Sequence, residues 1–373
     1  MKRFFKALSL SFAILILGTA CTEQDNNANW KTTYSIETVN AKEIFKGSDE
    51  LQGKDLNKLK LPEQIEAIDT DDIYTFPFEP AASDKEAENS KAFFKAVFGD
   101  EYSDSFWKDE GNRVYSYNSE KGLVSFFRNN CPENYYSSAR GAVNTTEVLG
   151  TYYADADREK IVELKNGKCS IGEICDTVSD FISKAFYPLY GEFKIYPYII
   201  TYIIDDNMEK SAEVTCAVSY HGVTLEPLFS TLFEVEERAE YKVITNYVPS
   251  HMLFYLDGKD SIIFFTNRFG TKQMDTKKLD KLISLKDAVD ILTDNLAEYS
   301  RYDIEQVALY YCCKNTAPSP VEDEKLNSKM AEDFKDVPKC CFEPTWCFIW
   351  HTDDGRQQDI KVNAVTGEIT MEL

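Results

Sequence analysis

The chain has 373 residues, of which 43% are hydrophobic and 13% aromatic, so it holds enough apolar material for sizeable cores and is not a disordered protein. Its 63 acidic and 41 basic residues give a net charge of −22 at pH 7. Because affinity for nucleic acid is built from clustered Lys and Arg, this charge excludes nucleic-acid binding. The length favours two or three domains.

Residues 1–20 have the organisation of a secretory signal. Basic residues lie near the start, and residues 7–17 form an apolar run that is too short for an ordinary membrane span. The small residues at positions 18–20 precede Cys21, and this arrangement resembles the lipobox of bacterial lipoproteins. The resemblance implies a lipidated Cys21 and a protein anchored to the membrane or cell surface, on the extracytoplasmic side. Plain secretory cleavage near Ala20 is the alternative.

Two regions follow the predicted signal. Residues 21–50 are polar and have no apolar periodicity, which predicts a flexible tether. Residues 51–169 are predicted to form an N-terminal α+β region. A helix is expected over 84–98, and two paired strands are expected at 114–117 and 123–127.

Residues 170–282 are predicted to form a helix followed by an antiparallel meander. Ser170 and Glu173 have the spacing of a capping box, and apolar residues recur behind them at helical spacing. Strands are expected at 194–204, 213–220, 241–248, 252–256 and 262–266, separated by turn residues.

Residues 283–373 begin with the same kind of helix start. Ser284 is placed to cap the helix and Asp287 lies in its first turn, where the helix dipole favours a negative charge. The apolar face consists of Leu285, Ala288, Val289, Leu292 and Leu296. Strands are predicted at 304–311, 346–350 and 359–365, and the helix is expected to pack on the sheet that they form.

Part of this last region resembles a known family. The residues concerned are Ile283-Ser284-Leu285-Lys286-Asp287-Ala288, Pro344-Thr345-Trp346 and Val362-Asn363-Ala364-Val365-Thr366-Gly367-Glu368-Ile369. They are similar to a PepSY-type module and to the C-terminal part of the YycH and YycI proteins, which are extracytoplasmic regulators of a sensor kinase. The resemblance covers about a quarter of the chain. It implies a PepSY-like fold for 283–373 and a membrane protein such as a sensor kinase as partner.

The expected fold class is therefore α+β, with antiparallel sheets each covered by an amphipathic helix. The helix-then-strands order begins at Ser170 and again at Ser284. Two PepSY-like modules in tandem are one interpretation, and a coincidence of ordinary α+β order is the other.

Five of the ten cysteines are close together in the sequence. They are Cys312, Cys313, Cys340, Cys341 and Cys347. Outside the cytoplasm such proximity favours disulfides, so we expect a bond from the Cys312-Cys313 strand to Cys347 or to the Cys340-Cys341 pair. Free buried thiols are an alternative. A zinc site is disfavoured because no C-x-x-C pair is present.

No catalytic motif is found. The histidines, His221, His251 and His351, have no metal-binding spacing, and no G-x-S-x-G elbow occurs. We therefore expect a non-catalytic binding or regulatory protein without a metal or cofactor. A surface lipoprotein that binds glycan or peptide nutrients and a hydrolase with a carboxylate site are the rivals. Aromatic candidates for a ligand platform are Trp107, Tyr135, Tyr136, Tyr152 and Tyr153.

Overall fold

The computed structural model describes fourteen stretches of the chain. They are 38–77, 83–109, 114–119, 122–127, 134–138, 145–187, 192–226, 233–237, 242–248, 252–267, 276–297, 301–318, 341–352 and 357–371. The chain divides into two units, Met1–Ser35 and Ile36–Leu373, and every described residue belongs to the second. Its architecture is mixed α/β and mostly sheet, which confirms the coarse fold class. Within the described stretches, no helix is both long and apolar enough to cross a membrane.

Helices are few in the described part of the chain. The α-helices are α1 (Ser83–Phe98), α2 (Ile171–Ala185) and α3 (Leu285–Asn295). Short 3₁₀ turns lie at Ala41–Glu43, Ser48–Glu50, Gly99–Glu101 and Asp104–Phe106.

The strands are numbered in chain order. They are β1 (Thr38–Val39), β2 (Leu59–Lys60), β3 (Tyr74–Pro77), β4 (Trp107–Asp109), β5 (Val114–Ser119), β6 (Gly122–Phe127), β7 (Asn134–Ser138), β8 (Thr145–Tyr153), β9 (Ile161–Leu164), β10 (Gly167–Ser170), β11 (Lys194–Asp205), β12 (Lys210–Tyr220), β13 (Val223–Leu225), β14 (Phe233–Glu237), β15 (Lys242–Val248), β16 (Met252–Gly258), β17 (Ser261–Asn267), β18 (Lys277–Lys278), β19 (Leu282–Ile283), β20 (Tyr302–Asp303), β21 (Gln306–Pro318), β22 (Cys341–His351), β23 (Gln357–Asn363) and β24 (Ile369–Met371).

Most of the strands form two antiparallel runs that are joined by one short strand, and β1–β19, β9–β10 and β2–β20 are separate two-stranded sheets. The first run has the order β8, β11, β12, β16, β17, β7, β6, β5, β4. The second has the order β24, β23, β22, β21, β15, β14. The strand β13 pairs with β12 on one side and, in parallel, with β21 on the other. The two runs are therefore continuous through β13.

Hydrogen-bonded strands cross the region boundaries expected from the sequence. The strand β3 of the first region pairs with β22 of the last, and β15 of the middle region pairs with β21. The expected separate sheets are thus connected in the structure. Parallel pairing at β13–β21 and β2–β20 also departs from the expected all-antiparallel arrangement.

The predicted tether is too long at its C-terminal end. The strand β1 pairs with β19, and Ile44 is only 1% exposed. The Leu285 amide donates to the Ile44 carbonyl at 2.9 Å, and the ring of Phe45 lies 5.0 Å from that of Trp346. Residues 38–50 therefore belong to the folded part, because their apolar side chains have a surface near α3 on which to pack.

The helix predictions from caps and periodicity are confirmed. Ser170 and Glu173 form the capping box of α2, and the Asp287 amide donates to Ser284 Oγ at 3.1 Å at the start of α3. The predicted apolar face of α3 is buried, whereas Asp294 is exposed. The indole of Trp346 donates to the Ile283 carbonyl at 2.9 Å. The main core thus lies between these helices and the sheet.

Candidate functional site

A groove with a cavity volume of about 650 Å³ lies beside β21. Its lining comes from four strands, the turn after β12 and the extended segment that follows β2. The lining residues are Gln64, Glu66, Ile68, Tyr196, Tyr198, Ala217, Gly222, Thr224, Glu305, Gln306, Val307, Ala308, Leu309 and Tyr310. We refer to it as the tyrosine groove, after its three tyrosines.

The edge of β21 is open at this groove. On one side, β22 pairs with β21 from Gln306 to Lys314. On the other side, β13 pairs at Tyr310 and Tyr311, and β15 pairs from Cys313 onward. Among the described strands, residues 306–309 therefore have a neighbour on one side only. An unpaired strand edge offers backbone donors and acceptors to another chain.

The segment 61–73 lines one side of the groove, and hydrogen bonds hold it near both of its ends. At its start, the Ile304 amide donates to the Lys60 carbonyl at 2.8 Å. Near its end, Thr70 Oγ1 donates to the His221 carbonyl at 2.8 Å. The side chain of Ile65 is buried, whereas Glu66 is exposed in the groove lining. The segment and β21 thus line the groove together.

The turn between β12 and β13, at Gly222, lies beside segment 61–73. Gly222 has a φ of +84°, which favours glycine over residues with a side chain. A Cβ at this position would also lie 3.4 Å from the Asp69 carbonyl oxygen. That distance is an ordinary van der Waals contact, so the positive φ, and not the space beside segment 61–73, is what favours glycine in this turn.

The tyrosines of the groove range from exposed to buried. Tyr196 is 38% exposed and Tyr310 is 8% exposed. Burial raises the pKa of Tyr198, and the nearby Tyr153, Tyr196 and Glu66 raise it further. Burial likewise raises the pKa of Tyr310, so Tyr198 and Tyr310 stay neutral at physiological pH. The three rings present both apolar area and hydroxyl groups to a ligand.

Two carboxylates give the groove a negative charge. Glu66 and Glu305 both line it, and both are exposed. Glu305 Oε2 lies 2.8 Å from His351 Nδ1, and the His351 amide donates to Glu305 Oε1 at 3.1 Å. The His351 side-chain hydrogen bond, followed by the amide bond, lowers the pKa of Glu305. Glu305 is therefore ionised and held in position at one end of β21.

A second feature, the buried polar cluster, lies on the same face of β21 as Ala308 and Tyr310. It consists of Glu226, Cys312, Cys347, Asp359 and Lys361, none of which is more than 2% exposed. Side chains alternate across the strands, so Tyr311 and Phe348 face the main core while Cys312 and Cys347 face the other side. The sheet is therefore buried on both faces at this point.

Lys361 is the cation of the cluster. Its Nζ lies 2.9 Å from Glu226 Oε1 and 2.9 Å from Asp359 Oδ2. Burial lowers the pKa of Lys361, but the two carboxylates outweigh it, so the pKa is raised and the ammonium stays charged. Burial raises the pKa of Glu226 against the opposing effect of Lys361. Asp359 Oδ1 is buried and accepts no hydrogen bond from the described residues.

The two thiols of the cluster lie beside the charged groups. Cys312 Sγ is 3.8 Å from Cys347 Sγ. Burial raises the pKa of both thiols. One carboxylate oxygen of Glu226 and the two sulfur atoms all lie within 4.8 Å of one another. A cavity of about 10 Å³ beside Cys312 and Lys361 has room on the order of one water molecule.

The structure brings only part of the predicted cysteine set together. No disulfide joins any two of Cys312, Cys341 and Cys347, so the expected bond is not present among these three. The side chain of Cys313 and the whole of Cys340 lie outside the described residues, as does Cys21. A disulfide that involves Cys313 or Cys340 stays a prediction, and so does the lipidation of Cys21.

The predicted aromatic platform differs from the groove. The Trp107 indole donates to Ser90 Oγ at 3.1 Å, away from the groove lining. Tyr153 is exposed on β8, with its ring 6.4 Å from that of Tyr198. The side chains of Tyr135 and Tyr136 lie outside the described residues. The residues that the sequence did not indicate are Tyr196, Tyr198, Tyr310, Glu66, Glu226, Glu305, Asp359 and Lys361.

No protein-family model matches the chain, and no curated protein is similar to it.

Proposed function

We propose that this is a lipid-anchored, extracytoplasmic and non-catalytic binding protein that holds an extended, basic polypeptide segment of a membrane neighbour in the tyrosine groove. The single observation that carries the proposal is the open edge of β21 at residues 306–309, next to three tyrosines and two carboxylates. A peptide that adds a strand to such an edge gains backbone hydrogen bonds, and its alternate side chains reach the groove.

Charge determines which kind of segment fits. Glu66 and Glu305 line the groove, and the chain as a whole carries −22. An acidic groove on an acidic protein attracts basic segments and repels acidic ones. Tyrosine faces also bind Lys and Arg side chains through cation–π contacts. The expected occupant is therefore an extended segment with Lys or Arg at alternate positions.

The setting of the proposal comes from the sequence. The lipobox-like end at Cys21 supports a location outside the cytoplasm and on a membrane. There, a sensor kinase is the type of partner that the YycH and YycI resemblance implies. The caps of α2 and α3 are alike, and antiparallel strands follow each helix. This likeness supports a PepSY-like module at 283–373 and a related one at 170–282.

The test uses synthetic ten-residue peptides with alternating Lys and Val, labelled for fluorescence anisotropy. Two N-methylated versions of the peptide are compared with the parent. In a β-strand, alternate amides face opposite edges, so one version is methylated at the amides of one edge and the second at the amides of the other edge. Strand addition to β21 predicts that methylation on one edge abolishes binding and that methylation on the other edge is tolerated. Equal effects of the two patterns would overturn the proposed binding mode.

Variants of the protein locate the binding. Tyr198→Ala is expected to weaken binding at least about tenfold, as for a central aromatic anchor. Glu66→Gln and Glu305→Gln are each expected to weaken it about two- to fivefold at low salt. The control is Glu159→Gln, which removes an exposed carboxylate outside the groove lining. Binding of a neutral oligosaccharide in place of the peptide would favour the rival role in nutrient capture.

A further inference from the structure

The distance between the Cys312 and Cys347 sulfur atoms fits a metal site better than a disulfide. The two Sγ atoms are 3.8 Å apart. A disulfide bond has an S–S length of about 2.05 Å, so the two sulfur atoms would have to approach each other to about half of their present separation. In a tetrahedral zinc site, by contrast, two Zn–S bonds of about 2.3 Å place the sulfur atoms about 3.8 Å apart.

Glu226 supplies a third ligand atom in the same place. One of its carboxylate oxygens lies with the two sulfur atoms in a group whose members are all within 4.8 Å of one another. Its backbone is fixed because the Glu226 amide donates to the Tyr311 carbonyl at 3.0 Å. Cys312 and Cys347 are on the neighbouring strands β21 and β22. Two neighbouring strands and the residue that follows β13 thus converge on one buried point.

The charges of the cluster are compatible with a bound divalent ion. Zn²⁺ that binds two thiols releases their two protons, so the net charge of the cluster is the same before and after binding. A zinc ion with two thiolates and one carboxylate has a net charge of −1. The Lys361 ammonium, 2.9 Å from Glu226 Oε1, is therefore attracted to the loaded site and not repelled by it.

We propose that Cys312, Cys347 and Glu226 are three of the four ligands of a zinc ion in the buried polar cluster, and that a water molecule in the adjoining cavity of about 10 Å³ is the fourth. Lys361 and Asp359 form the outer shell, in which Lys361 contacts both Glu226 and Asp359. Thiolate ligands select zinc over magnesium and calcium, which prefer all-oxygen sites. Cys312 and Cys347 come from different strands and Glu226 follows a third, so the sequence carries no C-x-x-C signature. This site departs from the expectation of a protein without a metal.

The first experiment measures the metal content of the full chain after purification without chelator. One zinc per chain is expected, and zinc should rebind to chelator-stripped protein with the release of about two protons per ion. Replacement of zinc by Co²⁺ should give the intense absorption of a tetrahedral cobalt–thiolate centre. Protein that neither contains nor rebinds zinc would overturn the proposal.

The second experiment identifies the ligands. Cys312→Ser and Cys347→Ser are each expected to abolish the cobalt–thiolate absorption or weaken zinc binding at least about a hundredfold. The control is Cys169→Ser, which removes a buried thiol on β10 outside the cluster. Retention of the full signal in both variants would assign the metal to other residues and refute the site.

Mass spectrometry of non-reduced peptides gives a result that does not depend on the folding of any variant. Wild-type protein is expected to show Cys312 and Cys347 as thiols that zinc protects from alkylation. A Cys312–Cys347 disulfide in freshly purified protein would overturn the zinc assignment. Because the cluster and the tyrosine groove are tested with different probes, failure of one proposal is distinguishable from failure of the other.

Discussion

The replacement Lys361→Met tests whether the buried polar cluster holds real, paired charges. Lys361 is 1% exposed, and its two carboxylate partners are equally buried. Methionine keeps most of the length and apolar volume of lysine but removes its charge. The variant therefore leaves the carboxylates of Glu226 and Asp359 buried without a cation.

The magnitude follows from the geometry. Each Nζ–O contact of 2.9 Å is worth about 6 kcal/mol of gross Coulomb energy at an effective dielectric constant of about 20. The cost of removing the ammonium from water offsets several kcal/mol of this gain. Removing one partner of a buried ion pair costs about 3 to 5 kcal/mol. We expect the same loss in unfolding free energy for Lys361→Met. That loss is a large part of the ~5 to 15 kcal/mol by which proteins are stable.

The control for this variant is Lys210→Met. Lys210 Nζ lies 3.4 Å from Glu163 Oε2, and the two side chains are 45% and 58% exposed. An exposed pair of this kind contributes about 0 to 1 kcal/mol. The free energy of unfolding is measured by urea titration followed through tryptophan fluorescence, with a chelator present so that metal binding does not contribute.

The pH dependence separates loss of charge from loss of packing. Burial raises the pKa of Glu226, so ionised Glu226 destabilises the folded state above the pKa of the unfolded chain. This penalty disappears as the pH falls through the raised folded-state pKa. The gap between Lys361→Met and wild type should therefore shrink from about pH 8 to about pH 5. A loss no larger than that of Lys210→Met, or a gap that does not depend on pH, would refute the reasoning.

Two further predictions concern α3 and the N-terminus. Leu292→Ala should lower the unfolding free energy by about 2 to 5 kcal/mol because it leaves a cavity, Ser284→Ala by about 0.5 to 2 kcal/mol because it removes a cap, and Asp294→Ala by less than about 0.5 kcal/mol. Urea titrations check this ranking, and an Asp294→Ala effect as large as that of Leu292→Ala would contradict the assigned face. Cys21→Ser should release the protein from the membrane fraction, and retention together with fatty-acid labelling of the variant would contradict lipidation at Cys21.

The helices were predictable because their signals are local. The Ser170 and Ser284 hydroxyls cap the helices that follow them, and apolar residues recur within a few turns. The hairpin of β5 and β6 was predictable for the same reason, since both strands and their turn are adjacent in sequence. Each of these features is decided within about 15 residues of chain.

The strand ends and pairings were less predictable. The strand β21 was expected to end near Tyr311 but continues to Pro318, because β15 pairs with its second half. The strand β8 was not predicted, since its residues are largely exposed and have no clear alternation of burial. Such features depend on partners that are distant in sequence.

The candidate sites were missed for a related reason. The tyrosine groove combines residues from 64–68, 196–224 and 305–310, which only the sheet order brings together. Asp359 and Lys361 alternate with Ile360 and Val362, a pattern that normally indicates a solvent-facing side of a strand. In this protein the side of β23 that carries Asp359 and Lys361 is covered, so these charges are buried. Charge alternation alone cannot distinguish the two situations.

The joining of early and late parts of the chain has a consequence for folding order. The Lys58 ammonium donates to the Thr293 carbonyl 235 positions later, and the Tyr74 amide donates to the Tyr311 hydroxyl 237 positions later. Contacts of such separation form slowly because a long loop must close first. During synthesis from the N-terminus, residues 38–77 therefore lack their final partners until the last quarter of the chain has been made. During that interval the edges of β2 and β3 have no partners and are open to other chains, so the incomplete chain is more prone to aggregate than the finished one.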